Sequence, residues 1–435
     1  MAMHANFLLV KTRPAVALAV LWANCLWVQA AQEPGMPIEL LVSEQYISNS
    51  NSANAEQSTL DTGNSQNRDE LGPLRGISLR LSTGIGYDDN VFRTGSNTRN
   101  DFYWLVRPSV VFNFAAGKHG FSVGYEGAYA KYFDFSTEDY FDHALFANAG
   151  LDLSRKVDLN LGAEIEYGHD PRGSLGNRLV VPGDLDRWFA YDVNASLVVG
   201  REIARAQIIP SASFSGMRYL NNNQSIRDFD RQDVRLRGNW RFTPKLYGIA
   251  EGGYGNVNHL DSRNTLDRTE TDFLVGVGWL ATAKTSGEAL FGILYRSYED
   301  ASTPNDTNPT WDIRVNWEPK TYSKVTAYTR RTSRENAGGV GNFLADSYGV
   351  LWRHGINRRT LLSTSLDYTV ADFESAREDK YVTFDLGLTY QLINWLDARV
   401  TYQYLNRRSN LPGIEYDDNK ILFELRAATN LTMGP

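Results

Sequence analysis

The residues of this sequence that could take part in hydrolysis are histidines. His143, His169 and His259 fall near long polar segments, where an exposed base could reach a substrate. A hydrolytic site would also need a serine within hydrogen-bond reach of one histidine and a third group to orient that histidine. No spacing in the sequence singles out such a set, and isolated loop histidines are usually solvated. We therefore predict no catalytic residues.

Clusters of acidic residues could bind a metal ion. Asp88-Asp89-Asn90 and the pair Asp417-Asp418 offer the hard oxygen ligands that Ca²⁺ prefers, and Asp261 or Asp267 could add to them. The alternative is a hydrated loop of turn-forming residues. We favour this alternative, and we predict no metal site and no cofactor.

Charged residues at alternate positions form a third group. Arg235, Arg237 and Arg241 alternate with apolar residues such as Val234 and Leu236. Alternate side chains of a strand point to opposite faces, so the three cations should project into water along one wall. The same pattern recurs at Arg107, Glu164, Glu166, Arg314, Asp367, Asp385, Asp397, Arg399, Glu424 and Arg426. Any one of these charges could instead only solvate that face or pair with a charge on the next strand.

The elements that carry these residues are predicted to be β-strands. From Gly76 onward apolar and polar residues alternate over long segments, whereas helical periodicity is absent. We count 18 such segments, which begin near residues 77, 101, 120, 142, 156, 188, 203, 232, 245, 271, 287, 310, 323, 345, 359, 380, 395 and 419. Their connections alternate between short turns, such as 116–119 and 243–245, and longer polar loops, such as 170–186 and 301–309.

Two classes of all-β fold have this alternation. Strands of soluble sandwiches and propellers usually have about five or six residues, and those folds have no reason to sort aromatic residues by height. In this sequence one set of tryptophans adjoins the short turns, namely Trp240, Trp279, Trp317, Trp352 and Trp395. Another set adjoins the long loops, namely Trp104, Trp188 and Trp311. Two aromatic levels are typical of a barrel whose ends meet lipid headgroups.

We therefore predict a closed antiparallel transmembrane β-barrel in an outer-membrane lipid bilayer, with short periplasmic turns and long extracellular loops. Closure leaves no strand edge unpaired in hydrocarbon, so the polar face must surround the lumen. With strands about 4.8 Å apart and tilted by about 40°, 18 strands enclose a ring on the order of 35 Å across. The alternating charged residues named above are then predicted to line a pore that suits hydrated solutes.

The remaining parts of the chain have their own predicted roles. Lys11 and Arg13 precede an apolar stretch that ends at Val28-Gln29-Ala30, so residues 1–30 are predicted to be a signal peptide. The polar residues 31–74 are predicted to be a disordered periplasmic tether, and residues 75–435 the barrel. The single cysteine, Cys25, falls in the signal peptide. A net charge of −7 with no basic face gives no reason to expect a nucleic-acid partner.

Short motifs at the start of the barrel resemble a known family. They are Gly86-Tyr87-Asp88-Asp89-Asn90-Val91-Phe92-Arg93, Asn100-Asp101-Phe102, Arg107-Pro108-Ser109 and His169-Asp170-Pro171-Arg172-Gly173. They resemble the β-barrel porin family associated with bacterial exopolysaccharide secretion. The resemblance implies an outer-membrane conduit for a polysaccharide, which works with periplasmic polysaccharide-export proteins. We also expect the barrel assembly machinery to insert the chain.

Three hypotheses for function follow. The leading one is a polysaccharide-exporting channel, the alternative is a general or selective porin for small solutes, and the third is an enzyme at the rim of the barrel. Loops that fold into the bore would favour the small-solute porin. Tyrosines that line the bore would favour a sliding sugar chain, because sugar rings stack on aromatic faces. Tyr247 and Tyr328 are predicted to face inward.

Overall fold

The computed structural model of the protein describes residues 76–174, 183–201, 204–282, 284–335, 342–373 and 376–432. The predicted signal peptide (1–30) and tether (31–74) lie outside the described residues and stay predictions. Among the described residues, no helix is long and apolar enough to cross a membrane.

The barrel has 18 strands. They are β1 (Gly76–Asp88), β2 (Asp101–Ala116), β3 (His119–Tyr132), β4 (Tyr140–Ser154), β5 (Val157–His169), β6 (Arg187–Val199), β7 (Ala206–Tyr219), β8 (Phe229–Thr243), β9 (Leu246–His259), β10 (Arg268–Thr282), β11 (Thr285–Tyr298), β12 (Asp306–Lys320), β13 (Ser323–Glu335), β14 (Asn342–Asn357), β15 (Thr360–Phe373), β16 (Glu378–Ile393), β17 (Leu396–Ser409) and β18 (Tyr416–Thr432). Two one-turn 3-10 helices, Ser136–Glu138 and Gln224–Arg227, lie in loops.

The first and last strands close the sheet. Each strand pairs antiparallel with its neighbours in sequence, and β1 pairs with both β2 and β18. In the closing pair, Gly76 lies opposite Thr432 and Asp88 lies opposite Lys420. The predicted closed antiparallel barrel of 18 strands is therefore confirmed.

The two ends of the barrel differ as predicted. Two-residue turns such as 117–118 and 244–245 lie at the end where β1 begins and β18 finishes. Longer loops such as 89–100 and 170–186 lie at the other end. The predicted strand starts lie within three residues of the observed ones except at β12, which begins at Asp306 instead of residue 310. The polar residues before Thr310 continue the pairing with β11 up to Arg296. The loop between β11 and β12 therefore spans residues 299–305 and is shorter than the predicted loop 301–309.

Alternation separates an apolar outer face from a polar inner face on each strand. On β8, Val234 is 54% exposed and Leu236 is 55% exposed, whereas Arg235 is 7% exposed and Arg237 is 5% exposed. Large apolar residues that remain exposed to this extent along whole strands would be unusual for a soluble monomer. In a bilayer they contact lipid chains, while closure of the barrel leaves no sheet edge open to the hydrocarbon.

Candidate functional site

All thirteen residues predicted to line the pore occupy register positions on the inner face. Arg107, Glu424 and Arg426 face each other across β2, β1 and β18, and Arg399 lies opposite Glu424 on β17. The others occupy equivalent positions: Glu164, Glu166, Arg235, Arg237, Arg241, Arg314, Asp367, Asp385 and Asp397. Their role in transport stays a prediction.

The prediction that three cations of β8 project into water is wrong for Arg235 and Arg237, which form ion pairs. Nη1 of Arg235 lies 2.5 Å from Oε1 of Glu251, and its Nη2 lies 2.8 Å from Oδ2 of Asp272. Nη2 of Arg237 lies 2.6 Å from Oε1 of Glu288. The carboxylates come from β9, β10 and β11, so these charges are compensated inside the wall.

Gly253 on β9 allows the side chain of Arg235 to cross that strand and contact Asp272 on β10. A Cβ atom at Gly253 would lie 2.6 Å from Nη2 of Arg235, so any larger residue would push the guanidinium away from Asp272 on β10. Arg241 differs from its two neighbours because it is only half-buried and donates to the backbone oxygen of Pro244 at 3.1 Å. Sequence reasoning missed Glu251, Asp272 and Glu288, although each occupies an alternate position, because spacing does not reveal cross-strand register.

Most of the other predicted residues, Glu164 and Glu166 excepted, also have polar partners on the wall. Asp367 accepts a hydrogen bond from Tyr328, and Asp385 accepts from Ser365 at 3.1 Å and Gln403 at 2.8 Å. Further contacts are Arg107 with Glu424, Arg399 Nε with Thr401 Oγ1 at 3.1 Å, and Arg426 Nη2 with Asp397 Oδ2 at 3.9 Å. Arg314 is 8% exposed and lies opposite Glu288. Partners replace much of the water that these charges would otherwise need.

The loop after β5 folds into the barrel. Tyr416 on the inner face of β18 donates its hydroxyl hydrogen to the backbone oxygen of Gly173 at 2.8 Å. Arg93, in the loop after β1, donates to the backbone oxygen of Arg172 at 3.1 Å. Because β18 and β5 are five positions apart around the ring, a segment joined to both must cross part of the interior. This inward course is described for residues 170–174, while residues 175–182 lie outside the described part.

An apolar platform on the wall receives these loops. Leu185 from the loop after β5 and Val91 from the loop after β1 pack with inner-face residues. The platform consists of Tyr103, Leu105, Ala128, Ala130, Tyr132, Tyr140 and Leu422. Small residues such as Ala128 and Ala130 leave room for the loops, so burial of apolar surface stabilises their inward position.

The two ends of the loop after β5 are anchored by buried charges. Asp170 forms an ion pair with Arg227 and accepts hydrogen bonds from Trp188 Nε1 at 3.1 Å and the Tyr219 hydroxyl at 3.2 Å. Arg227 also lies 3.3 Å from Asp186 at the far end of the loop. Burial raises the pKa of Asp186 above its usual range, and the hydrogen bond from Asn222 and the charge of Arg227 oppose that rise.

Each of the three histidines considered for catalysis has a polar partner. Nδ1 of His169 lies 2.9 Å from Oδ1 of Asp142, and its ring stacks on Tyr140 with centroids 4.3 Å apart. His143 lies on the outer face, where its Nδ1 is 2.8 Å from the hydroxyl of Tyr125. His259 contacts Asp267 at 3.1 Å. The three histidines therefore lie on different faces and strands instead of forming one site.

Three of the acidic residues considered for metal binding do come together. Asp88, Asp89 and Asp418 each offer an oxygen within 4.8 Å of the others. Two cations of the chain itself approach the cluster, with Lys420 Nζ 3.0 Å from Asp88 and Arg93 Nε 2.7 Å from Asp418. These side chains already balance most of the negative charge that would attract Ca²⁺. Asp417 points outward, with Arg408 at 2.9 Å, and Asp261 pairs with Arg263.

Comparisons with known proteins place the chain among porins. No curated protein matches it. Among solved structures, OpdO of Pseudomonas aeruginosa is 15% identical over 81% of this chain and 97% of its own, with a TM-score of 0.45. OccK2 (OpdF) of the same organism is 12% identical over 81% and 98%, with a TM-score of 0.46. A family model described as "Putative beta-barrel porin 2" matches residues 77–429, which form nearly the whole barrel, and the chain therefore belongs to this family of outer-membrane β-barrel porins.

Proposed function

We propose that the protein is an outer-membrane porin through which small hydrophilic solutes diffuse. The observation that carries the proposal is the segment 170–174, which leaves β5, passes inside the barrel and is bonded to Tyr416 on β18. A chain segment across the mouth reduces the opening that the bare ring of strands would leave, and it therefore limits the size of what passes.

The inner wall supports passage of hydrated solutes. Many of its carboxylates, guanidinium groups and amides are held in cross-strand pairs, as between Arg235 and Glu251 or Asn239 and Gln207. Rings of fixed polar groups replace part of a solute's hydration without binding it so tightly that it cannot leave. An apolar solute would gain nothing from these polar groups.

Polysaccharide export, the leading hypothesis from the sequence, receives less support from the tyrosines. Tyr247 is 2% exposed, and its hydroxyl donates to Glu288 at 2.7 Å. The Tyr328 hydroxyl bonds to Asp367. A tyrosine buried to this degree offers no free ring face on which a sugar could stack. Export with periplasmic polysaccharide-export proteins rests on the family resemblance, and it is the competing outcome of the test.

The test measures solute permeation and surface polymer separately. Purified protein in proteoliposomes should admit neutral monosaccharides and disaccharides, and the rate should fall steeply with sugar size. A strain that lacks the gene should keep its cell-surface polysaccharide. Inserted protein that admits no sugar would contradict the proposal. Loss of surface polymer that the wild-type gene restores would support polysaccharide export instead.

A further inference from the structure

The inner wall formed by β3 to β7 has charge of one sign only. All residues of these five strands are described, and none of their inward-facing positions holds lysine or arginine. The inward carboxylates are Glu126, Asp142, Asp152, Asp158, Glu164, Glu166 and Asp192. We call this set the acidic wall. It contrasts with β8 to β11, where each acid near Arg235 and Arg237 faces a cation.

Among the residues that the structure describes, no lysine or arginine pairs with the centre of the acidic wall, which consists of Glu164, Glu166 and Asp192. Nearer its edges, Asp142 has His169 at 2.9 Å and Asp152 has Lys118 at 2.9 Å. Glu164 lies directly opposite Asp192, and Glu166 is two positions further along the same face. Opposed like charges destabilise a strand pair. A positively charged group in the lumen would remove this repulsion.

The second observation is a set of buried oxygen atoms without hydrogen-bond partners among the described residues. They are Oε2 of Glu166, Oδ2 of Asp192, Oδ1 of Asn194 and Oγ of Ser215. These residues are 8%, 9%, 7% and 2% exposed respectively. Asn194 and Ser215 carry no charge, so their unused acceptors are independent of the acidic composition. The Asn194 amide nitrogen donates a hydrogen bond to Asp192, and its amide oxygen remains available as an acceptor.

A shared proton would not satisfy this set. Glu164 and Glu166 lie within hydrogen-bond contact of each other, so one proton could join that pair. Oδ2 of Asp192 and Oδ1 of Asn194, both on β6, would still lack a donor. The buried acceptors therefore need several donated hydrogens at once.

The spacing of the oxygens identifies the class of ligand. Asp88, Asp89 and Asp418 bring one oxygen each to within 4.8 Å of one another, as a metal ion requires, whereas Glu164, Glu166 and Asp192 do not form such a group. A guanidinium group has five N–H donors and an ammonium group has three. Both spread positive charge over donors that can reach separate acceptors.

We propose that the acidic wall around Glu164, Glu166, Asp192 and Asn194 is a binding site for small solutes that carry an ammonium or guanidinium group. The proposal rests on the porin function given above and narrows its solutes to organic cations. Of the described inward-facing cations on β8, the strand after the acidic wall, Arg231 pairs with Asp233, and Arg235 pairs with Glu251 and Asp272. They therefore do not compete for the acidic wall.

Agmatine, which has one ammonium and one guanidinium group, is the probe. Full-length protein in planar bilayers should conduct K⁺ in preference to Cl⁻, and agmatine should block the current at a concentration that gives an apparent Kd. The triple variant Glu164→Gln, Glu166→Gln, Asp192→Asn should raise that Kd at least tenfold. Glu299→Gln, Asp261→Asn and Asp300→Asn together remove the same charge from loops, and this control should change the Kd less than twofold.

The variant Asn194→Leu distinguishes a hydrogen-bonded binding site from a general electrostatic attraction of cations. It removes the free amide acceptor together with the amide group that donates to Asp192, and it changes no charge. A bulk electrostatic effect would therefore leave agmatine block unaltered, whereas a hydrogen-bonded site should weaken severalfold. Asn194→Leu and the single variant Asp192→Asn also provide the test if the triple variant does not insert. An unchanged Kd in these variants would mean that water or a shared proton satisfies the oxygens, and it would overturn the proposal.

The remaining outcomes distinguish this proposal from the porin function. Wild-type protein that admits neutral sugars but binds no agmatine would leave the porin function intact and overturn the cation site. Block by Ca²⁺ alone, lost in the triple variant, would replace the organic cation with a metal ion. Inserted protein that admits neither sugars nor agmatine would contradict the porin function itself.

Discussion

The Tyr416 hydroxyl donates a hydrogen bond to the backbone oxygen of Gly173 at 2.8 Å, although the strands next to these residues are five positions apart in the barrel. Gly173 has a φ of +67°, and a Cβ atom there would lie 2.5 Å from the Tyr416 ring. Glycine is thus required twice at this position, for its backbone conformation and for the close approach.

Substitution of Gly173 should widen the mouth. In Gly173→Ala, the Cβ atom cannot fit beside Tyr416, so we expect the loop to move and the single-channel conductance to rise. The matched control is Gly117→Ala in a short turn, which has a φ of +62° and nothing within 4 Å of the added Cβ. Both variants have the same backbone strain of about 1–2 kcal/mol, so only the contact differs. Equal conductance in the two variants would show that the segment does not restrict the mouth.

Loss of Arg227 should release the other end of the same loop. Arg227→Gln leaves Asp170 and Asp186 buried without their cation. Removal of one partner from a buried ion pair typically destabilises a protein by about 3–5 kcal/mol. We expect this loss to appear as local opening, measured by faster amide exchange in residues 170–174 and 183–186, while the strands exchange as in the wild type. Uniformly faster exchange across the barrel would instead indicate global destabilisation.

The loop contacts should also depend on pH. Burial raises the pKa of Asp186 in the closed loop, so closure favours the protonated carboxyl. This contribution is complete below the pKa of the open loop and is lost as the pH rises through the raised pKa. Conductance should therefore increase with pH in that window, and Asp186→Asn should remove the dependence. A fall in conductance over the same window would have the wrong sign for this mechanism.

The cation pairs on β8 should stabilise the barrel unequally. Arg235→Gln leaves Glu251 and Asp272 without compensation, and we expect a loss of about 3–5 kcal/mol in the free energy of unfolding. Arg241→Gln, in a half-buried position with a backbone partner, should cost less than about 1 kcal/mol. Urea titration in lipid vesicles measures both. Similar losses in the two variants would mean that the buried ion pairs of Arg235 contribute no more to the free energy of unfolding than the half-buried Arg241 does.

The lipid-facing surface gives a prediction about depth. Leu236 lies near the middle of β8 and is 55% exposed, so Leu236→Arg should destabilise the inserted barrel by about 2–4 kcal/mol. Leu260 is 52% exposed but lies in the loop after β9, and Leu260→Arg should cost roughly 0–1 kcal/mol. Equal costs for the two substitutions would contradict the assignment of the outer face to the bilayer.

The sequence by itself determined the architecture, because a strand's side chains alternate with a period of two whatever surrounds it. This local rule sufficed for the strand number, the inward position of residues such as Arg235 and Glu424, and the end of the barrel at which the long loops lie. It was less reliable where a strand extends beyond the apolar band, since the outer residues of β12 between Asp306 and Thr310 no longer need to be apolar.

Only the tertiary structure decided how the charges are used. Arg235 finds Asp272 two strands away because of register and the absence of a side chain at Gly253, and neither can be read from spacing along one strand. The bond between Gly173 and Tyr416 joins residues 243 positions apart in sequence. The sequence does contain the acids at the centre of the acidic wall, but whether a carboxylate is compensated depends on which strands become its neighbours when the barrel closes.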